Sequence, residues 1–421
     1  MNKRKWTIVA VIAGILLVVG GLAAVFGQGV LLRITGVRPF VDDWRVVSWV
    51  NRGADSQEID ATLKKVYDMK GEGPGSWVYE LAKVASQHEQ TAVKTEAAGD
   101  QNTAFKEYQK AVVYYYMARF PFISSSAKQA AYDKHVECYL KLAKSFDPPL
   151  EVVRIPFEGK EIIGYMRVPH VQKPPVVLLS AGSDAWKSDV DYIIEPMLAQ
   201  GLATFAMDLP GTGQSAWAAA PDSDKVYRRV LEYLKTRSDI DGQNMGFLGL
   251  SFGGHYAVQL ALSEPMVKAA VNVGGPVAIS YTIENMRKEN PTVISTTAHA
   301  MQIDPRGKTL EEITRLSEPL SLDKLLSNPS YRASLLSIDG DQDNVVPIED
   351  LYIISKKGIQ QDVLVYKGDQ HCAPLNAKDW TEKAAAWLKS KLTSNPASSR
   401  SADSGLAVGP LYNIEPVLKI Y

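Results

Sequence analysis

The stretch Met245-Gly246-Phe247-Leu248-Gly249-Leu250-Ser251-Phe252-Gly253-Gly254-His255-Tyr256 decides how the rest of the chain is read. Met245 to Leu248 is a short apolar run with the texture of a buried strand. It feeds straight into Gly249-Leu250-Ser251-Phe252-Gly253, the spacing of a sharp strand-to-helix turn that lifts a serine hydroxyl above a sheet edge. Ala257, Val258 and Leu260 to Leu262 then continue as a helix with small residues near its start. A bare Gly-Ser turn would satisfy the five letters alone, but not the strand and helix on either side. Ser251 is therefore the candidate nucleophile. The amide of Phe252, directly after it, is the first candidate donor to an oxyanion.

A serine hydroxyl is a poor nucleophile until a base accepts its proton. In a strand-turn-helix setting of this kind the chain order is serine, acid, histidine. The apolar run Val363 to Tyr366 ends in Lys367-Gly368-Asp369-Gln370-His371, which puts His371 in a loop just past the last strand. The other five histidines fit less well. His88 and His135 lie in a helical region, His170 in an early turn, and His299 in a long insertion, while His255 sits on the serine's own helix. The acid lies in Ile338-Asp339-Gly340-Asp341-Gln342-Asp343-Asn344-Val345-Val346-Pro347. Asp339 closes a strand and suits turn hydrogen bonds. Asp343, furthest into the loop, is the expected orienting acid, with Asp341 its rival. The second oxyanion amide should come from the loop after Val176 to Leu179, at Ser183, with its neighbour Gly182 the alternative. Asp184 beside them is either a substrate-facing group or a helix cap.

Outward from this centre, short apolar runs recur at Val176–Leu179, Ala203–Met207, Ala269–Val273 and Leu335–Ile338, separated mostly by helical pattern. Val152–Ile155 and Ile162–Met166 read as a strand pair joined near Gly159. Continuous apolar runs alternating with helices imply a mainly parallel sheet covered on both faces, here over residues 148–393. Ser280 to Ser330 is too long for a simple connection and reads as part of a lid. Residues 36–147 read as a helical domain, stopped by Asp147-Pro148-Pro149. Its Tyr114, Tyr115 and Tyr116 stand about 100° apart on a helix and cannot share one face. At least one is expected to point away from the helical core, which makes Tyr115 and Tyr116 candidate substrate contacts.

The N-terminus carries Lys3, Arg4 and Lys5 before an uncharged apolar run from Trp6 to Phe26. As a helix that run would span about 31 Å, enough to cross a bilayer core. Residues 1–35 are expected to be an uncleaved anchor, with a cleaved secretory signal as the alternative. Positive residues stay inside, so the catalytic domain is expected on the extracytoplasmic side, or secreted or periplasmic after cleavage. Residues 394–421, rich in Ser, Pro and Gly without periodicity, read as a flexible tail.

The full chain of 421 residues is 46% hydrophobic and 22% charged, ordinary for a protein with a sizeable core. A net charge of −1 gives no general electrostatic reason to bind nucleic acid. Two cysteines, Cys138 and Cys372, make neither a disulfide framework nor a zinc site. The implied chemistry needs no metal or organic cofactor. The expected partners are a small carbonyl substrate and, through residues 1–35, a membrane. A homodimer is left open.

With these residues in view, the chain resembles the FrsA-like esterase and 2,6-dihydroxypseudooxynicotine hydrolase group of the α/β-hydrolase superfamily. The resemblance runs from about Ser76 to Leu392. It rests on Arg119-Phe120-Pro121-Phe122, on Asp147-Pro148-Pro149, and on Asp208-Leu209-Pro210-Gly211-Thr212-Gly213-Gln214-Ser215. Gly249 to His255, Gly274-Gly275-Pro276 and Gly368-Asp369-Gln370-His371 complete it. It implies an α/β-hydrolase fold with an N-terminal helical cap domain, and hydrolysis of carboxylic esters or of carbon–carbon bonds beside a ketone. The chain departs from that group at Ala181, where a glycine is expected, and adds the N-terminal segment and the tail. Two other activities use the same fold: transfer of the acyl group to an alcohol, and ligand binding without turnover.

Overall fold

A computed structural model describes residues 28–393. The apolar run from Trp6 to Phe26 and the stretch 394–421 lie outside those residues. Among the described residues no helix is long and apolar enough to cross a membrane. The chain divides after Leu142 into a helical unit and a larger α/β unit.

The helical unit contains α1 (Gln28–Thr35), α2 (Asp43–Val50), α3 (Ser56–Leu63), α4 (Trp77–Ala97), α5 (Gln101–Arg119) and α6 (Ser126–Leu142). Three of these helices start where a short polar side chain takes an otherwise unpaired amide. Asp55 accepts from Glu58 N at 2.9 Å, Ser76 from Tyr79 N at 3.3 Å and Asp100 from Thr103 N at 3.0 Å. Trp49, Trp77 and Phe120 meet with ring centroids 6.0–6.1 Å apart, and the Trp77 indole donates to Met117 O at 2.7 Å.

Helix α5 lies between α4 and α6 and packs on both. Tyr114, Tyr115 and Tyr116 are accordingly 0%, 4% and 2% exposed, so none of the three faces solvent. A 100° step turns a side chain out to solvent only on a helix with one buried face, whereas a helix flanked on two sides buries nearly all of its circumference. Each ring finds a partner inside the unit. Tyr114 Oη donates to Asp55 O at 3.2 Å and Tyr115 Oη to Glu89 at 2.7 Å, while the Arg119 guanidinium stacks 4.7 Å from the Tyr116 ring.

The α/β unit runs β1 (Leu150–Phe157), β2 (Lys160–Arg167), β3 (Pro175–Ser180), α7 (Asp191–Ala199), β4 (Ala203–Met207), α8 (Asp224–Thr236), β5 (Asp241–Leu250), α9 (Phe252–Ala261) and β6 (Val267–Val273). A helical excursion follows, with α10 (Ile283–Met286), α11 (Pro291–Ala300), α12 (Leu310–Ser317) and α13 (Asp323–Ser327). The chain then returns as β7 (Ser334–Gly340), α14 (Glu349–Lys356), β8 (Asp362–Tyr366) and α15 (Ala377–Thr393). The eight strands form one sheet in the order β1-β2-β4-β3-β5-β6-β7-β8. The β1–β2 and β2–β4 pairs are antiparallel and the rest parallel.

Strands β3 and β4 are buried along their whole length, as their unbroken apolar runs require. Successive strand residues point to opposite faces. At Gly246 an added Cβ would meet Leu388 and Leu392 of α15, each at 3.2 Å. The next residue, Phe247, packs edge-on against Tyr227 of α8, with centroids 5.3 Å apart. Val226, Val230, Leu231 and Leu234 repeat down the same side of α8 at helical spacing and are wholly buried. Burying a side chain of this size contributes about 1.5–3 kcal/mol. These layers hold the parallel strands in register, so the loops after β3, β5, β7 and β8 emerge together at one sheet edge.

Candidate active site

At the end of β5 the backbone turns sharply into α9. Ser251 occupies the turn with φ +54° and ψ −123°, a conformation non-glycine residues seldom adopt. Its amide donates to Val273 O at 2.7 Å and its carbonyl accepts from Gly254 N at 2.7 Å, so the strained residue is held from both sides. The glycine at 249 is a steric requirement, since a Cβ there would lie 1.9 Å from Gly253 O. Phe252 opens α9, and the first amides of a helix have no partner within it.

The loop after β8 brings His371 to this turn. Its Nε2 lies 2.9 Å from Ser251 Oγ and its Nδ1 2.7 Å from Asp343 Oδ2. Asp343 Oδ1 accepts from the amides of Val345 and Val346 at 2.7 and 2.9 Å, which fixes the carboxylate in the loop after β7. Asp341 faces elsewhere and accepts from Gly368 N at 2.6 Å. Burial works against a charged imidazole at His371. The charge of Asp343 opposes this, with Cys372 and the hydrogen bond adding to it, and His371 is carried well above its ordinary value. An imidazole placed between a hydroxyl and a buried carboxylate can take the hydroxyl's proton and stay favourably charged while it holds it.

The loop after β3 completes the surroundings. A Cβ at Gly182 would lie 2.9 Å from Ser251 Cβ and 3.3 Å from its Oγ, so this backbone passes directly against the nucleophile. Ser183 and Asp184 follow, both half-buried. Asp184 caps no helix. The next one, α7, begins seven residues on behind Val190, with no side-chain cap. The loop is anchored by Lys187, whose Nζ and amide donate to Asp208 at 2.5 and 3.0 Å. Both side chains of this pair are almost completely buried. Asp208 also accepts from Gln214 N at 2.8 Å, which ties the loop after β4 to the loop after β3.

Tyr115 and Tyr116 belong to the helical unit and are held there by the partners given above. Several neighbours of these residues escaped sequence reasoning. Asp369, fully buried, accepts from the amides of Gln370, Leu375 and Asn376 and from the Asn376 side chain, and so shapes the loop that carries His371. Its one sequence signal was the Gly368-Asp369-Gln370-His371 block. Asp339 lies beside the imidazole and the triad-like acid. Glu289, from the excursion after β6, carries no motif at all. Burial pushes its carboxyl up to about 7 against the hydrogen bond from Asn285, and the charge of Asp343 adds to the rise while His371 opposes it.

A largely parallel sheet whose central strand delivers a serine through a strained turn, with histidine and acid loops arriving at the same edge, defines the α/β-hydrolase class. The model for the family described as esterase FrsA-like matches residues 34–412, and the chain belongs to that family. It is an enzyme, an esterase or hydrolase of the α/β-hydrolase kind. Esterase FrsA of Vibrio cholerae is 26% identical over 338 residues, covering 74% of this chain and 79% of that one. The 2,6-dihydropseudooxynicotine hydrolase of Paenarthrobacter nicotinovorans is 28% identical over 209 residues, 49% of this chain and 57% of that one. Among solved structures, 2,6-dihydroxy-pseudo-oxynicotine hydrolase superposes with a TM-score of 0.70 at 23% identity, covering 82% of this chain and 95% of that chain. AbyA5 gives 0.67 at 21% identity, covering 83% and 99%. At such identities these two structures speak for the fold.

Proposed function

We propose that the protein hydrolyses small carboxylic esters through an acyl-enzyme on Ser251. The observation that carries this reading is the unbroken chain from Ser251 Oγ to His371 Nε2 at 2.9 Å and from His371 Nδ1 to Asp343 at 2.7 Å. Ser251 Oγ attacks the carbonyl carbon as its proton passes to His371 Nε2. Asp343 holds the ring in the required tautomer and stabilises the imidazolium. The amides of Phe252 and of Ser183 or Gly182 receive the developing oxyanion. The tetrahedral intermediate collapses, the leaving alcohol takes the proton from His371, and water attacks the acyl-enzyme with His371 again as base. A carbon–carbon bond beside a ketone could be cleaved by the same groups, with a stabilised carbanion leaving in place of an alkoxide. The kinship with the 2,6-dihydropseudooxynicotine hydrolase supports this second reading.

The test is a panel of aryl esters and β-diketones, with product analysis in the presence and absence of alcohol acceptors. Turnover of either class, lost in Ser251→Ala, supports hydrolysis. Free acid as the main product separates a hydrolase from an acyltransferase. Protein that labels with a fluorophosphonate yet turns over neither class sinks both substrate readings.

We also propose that residues 1–35 anchor the chain in a membrane with the α/β unit on the extracytoplasmic side. The support is the basic start and the uncharged run from Trp6 to Phe26. Alkaline phosphatase, which is active only after export, should give a bright signal when fused to the C-terminus. An expressed but dark fusion would place the enzyme in the cytoplasm.

A further inference from the structure

A second carboxylate stands behind the proposed catalytic acid. Asp339 closes β7 and is 2% exposed. One of its oxygens, one of Asp343's and a ring nitrogen of His371 all lie within 4.8 Å of one another. The three groups therefore form one buried electrostatic unit, in which two carboxylates share a single imidazole as counter-charge. Two anions this close, out of reach of water, strongly disfavour double ionisation.

The hydrogen bonds say which acid keeps the proton. Asp343 accepts three N–H bonds spread over both oxygens, from Val345, Val346 and His371. Asp339 accepts two, from Gly340 N at 2.9 Å and Cys372 N at 3.1 Å, and both go to Oδ1. Its Oδ2 is the oxygen left to hold a proton. We propose that Asp339 remains a neutral acid in the working enzyme and donates a hydrogen bond to Asp343, acting as a positioning residue behind the Ser251–His371–Asp343 array. The inference rests on the reading of that array as the triad. Burial pushes the Asp339 carboxyl well above the usual range, the charge of Asp343 adds to this, and His371 opposes it.

Other titratable groups stand around this unit. The Cys372 thiol, pushed up by burial, faces all three. Glu289 approaches Asp343 and His371 from the excursion after β6. Asp341 is turned to Gly368 N, and Asp369 is held by the amides of its own loop.

Donation from Asp339 has two consequences. It steadies the Asp343 carboxylate for His371, and it draws charge off that carboxylate so that the imidazole is less basic than it would otherwise be. Asparagine is the isostere of the neutral acid. Its amide can donate to Asp343 while its carbonyl accepts from Gly340 N and Cys372 N. Alanine removes the donor.

The experiment is the pH profile of kcat/KM for wild type, Asp339→Asn and Asp339→Ala on one aryl ester, in full-length protein. Asp339→Asn should keep kcat within about threefold and leave the acidic midpoint in place. Asp339→Ala should lower kcat at least tenfold and move that midpoint upward. A downward move of a full unit in Asp339→Asn would show that position 339 had been an anion supporting the imidazolium, and would overturn the proposal. An unchanged midpoint in Asp339→Ala would overturn it equally. If either variant fails to fold, infrared spectra in the Glu289→Gln background decide, since that change removes the other carboxyl raised among the described residues. A carboxylic-acid C=O band at neutral pH that disappears at the alkaline end of the stable range supports a neutral Asp339, and its absence at neutral pH overturns one. Failure of the triad itself would look different, with turnover surviving in Ser251→Ala.

Discussion

Ser251→Ala is expected to lose fluorophosphonate labelling altogether and to lower kcat by about 10⁶-fold, the scale seen when the nucleophile of a serine hydrolase is removed. Any residual rate would reflect substrate binding and the oxyanion amides, which in well-studied enzymes sustain about 10³–10⁴-fold over water. The variant should fold. Alanine tolerates φ +54° no worse than serine, and the backbone bonds to Val273 O and Gly254 N are untouched. Matching thermal melts with lost labelling would place the chemistry on Oγ. Undiminished labelling in the folded variant would move the nucleophile elsewhere.

Asp343→Asn carries the second largest effect, a fall in kcat of up to about 10⁴-fold. The side chain keeps its size, but the carboxylate that accepts from His371 Nδ1 becomes an amide able to present N–H to that nitrogen and impose the wrong tautomer. The sign of the accompanying pH effect follows from what raises His371. Its charged form is supported by Asp343 against burial. Without that charge the imidazolium gives up its proton at lower pH, so the acidic midpoint of the residual kcat/KM should move down. Asp341→Asn should be far milder, because Asp341 serves a turn at Gly368 N. If Asp341→Asn proved the more damaging change, with Asp343→Asn near wild type, the acid would have been misassigned.

The elements read from the sequence were those set by local rules. An apolar run feeding Gly-x-Ser-x-Gly can be satisfied by few backbones, because Gly249 must pass against Gly253 O and a side chain there has no room. The central strands β3, β4, β6 and β7 showed as short apolar runs because both of their faces are covered. Chain order and loop position together pointed to His371 and favoured Asp343, since parallel strands deliver the loops after β5, β7 and β8 to one edge. The chain's texture also separated a helical unit from the α/β unit.

What tertiary structure decided was everything that depends on a second element arriving from far along the chain. The periodicity of α5 required its three tyrosines to diverge, but the packing of α4 and α6 on either side buried all three. Asp184 looked like a cap, yet the helix it would have capped starts only at Asp191. Nothing in the sequence around Lys187 marks it as buried, and only Asp208, 21 positions on, holds it in the core. Asp339 reads as a turn residue until the loop after β8 folds back and sets His371 beside it. Hydrophobic spacing and turn chemistry are properties of neighbouring residues and can be read one window at a time. The protonation of a buried carboxyl depends on which charges and amides the completed fold places around it, and no window of sequence contains them.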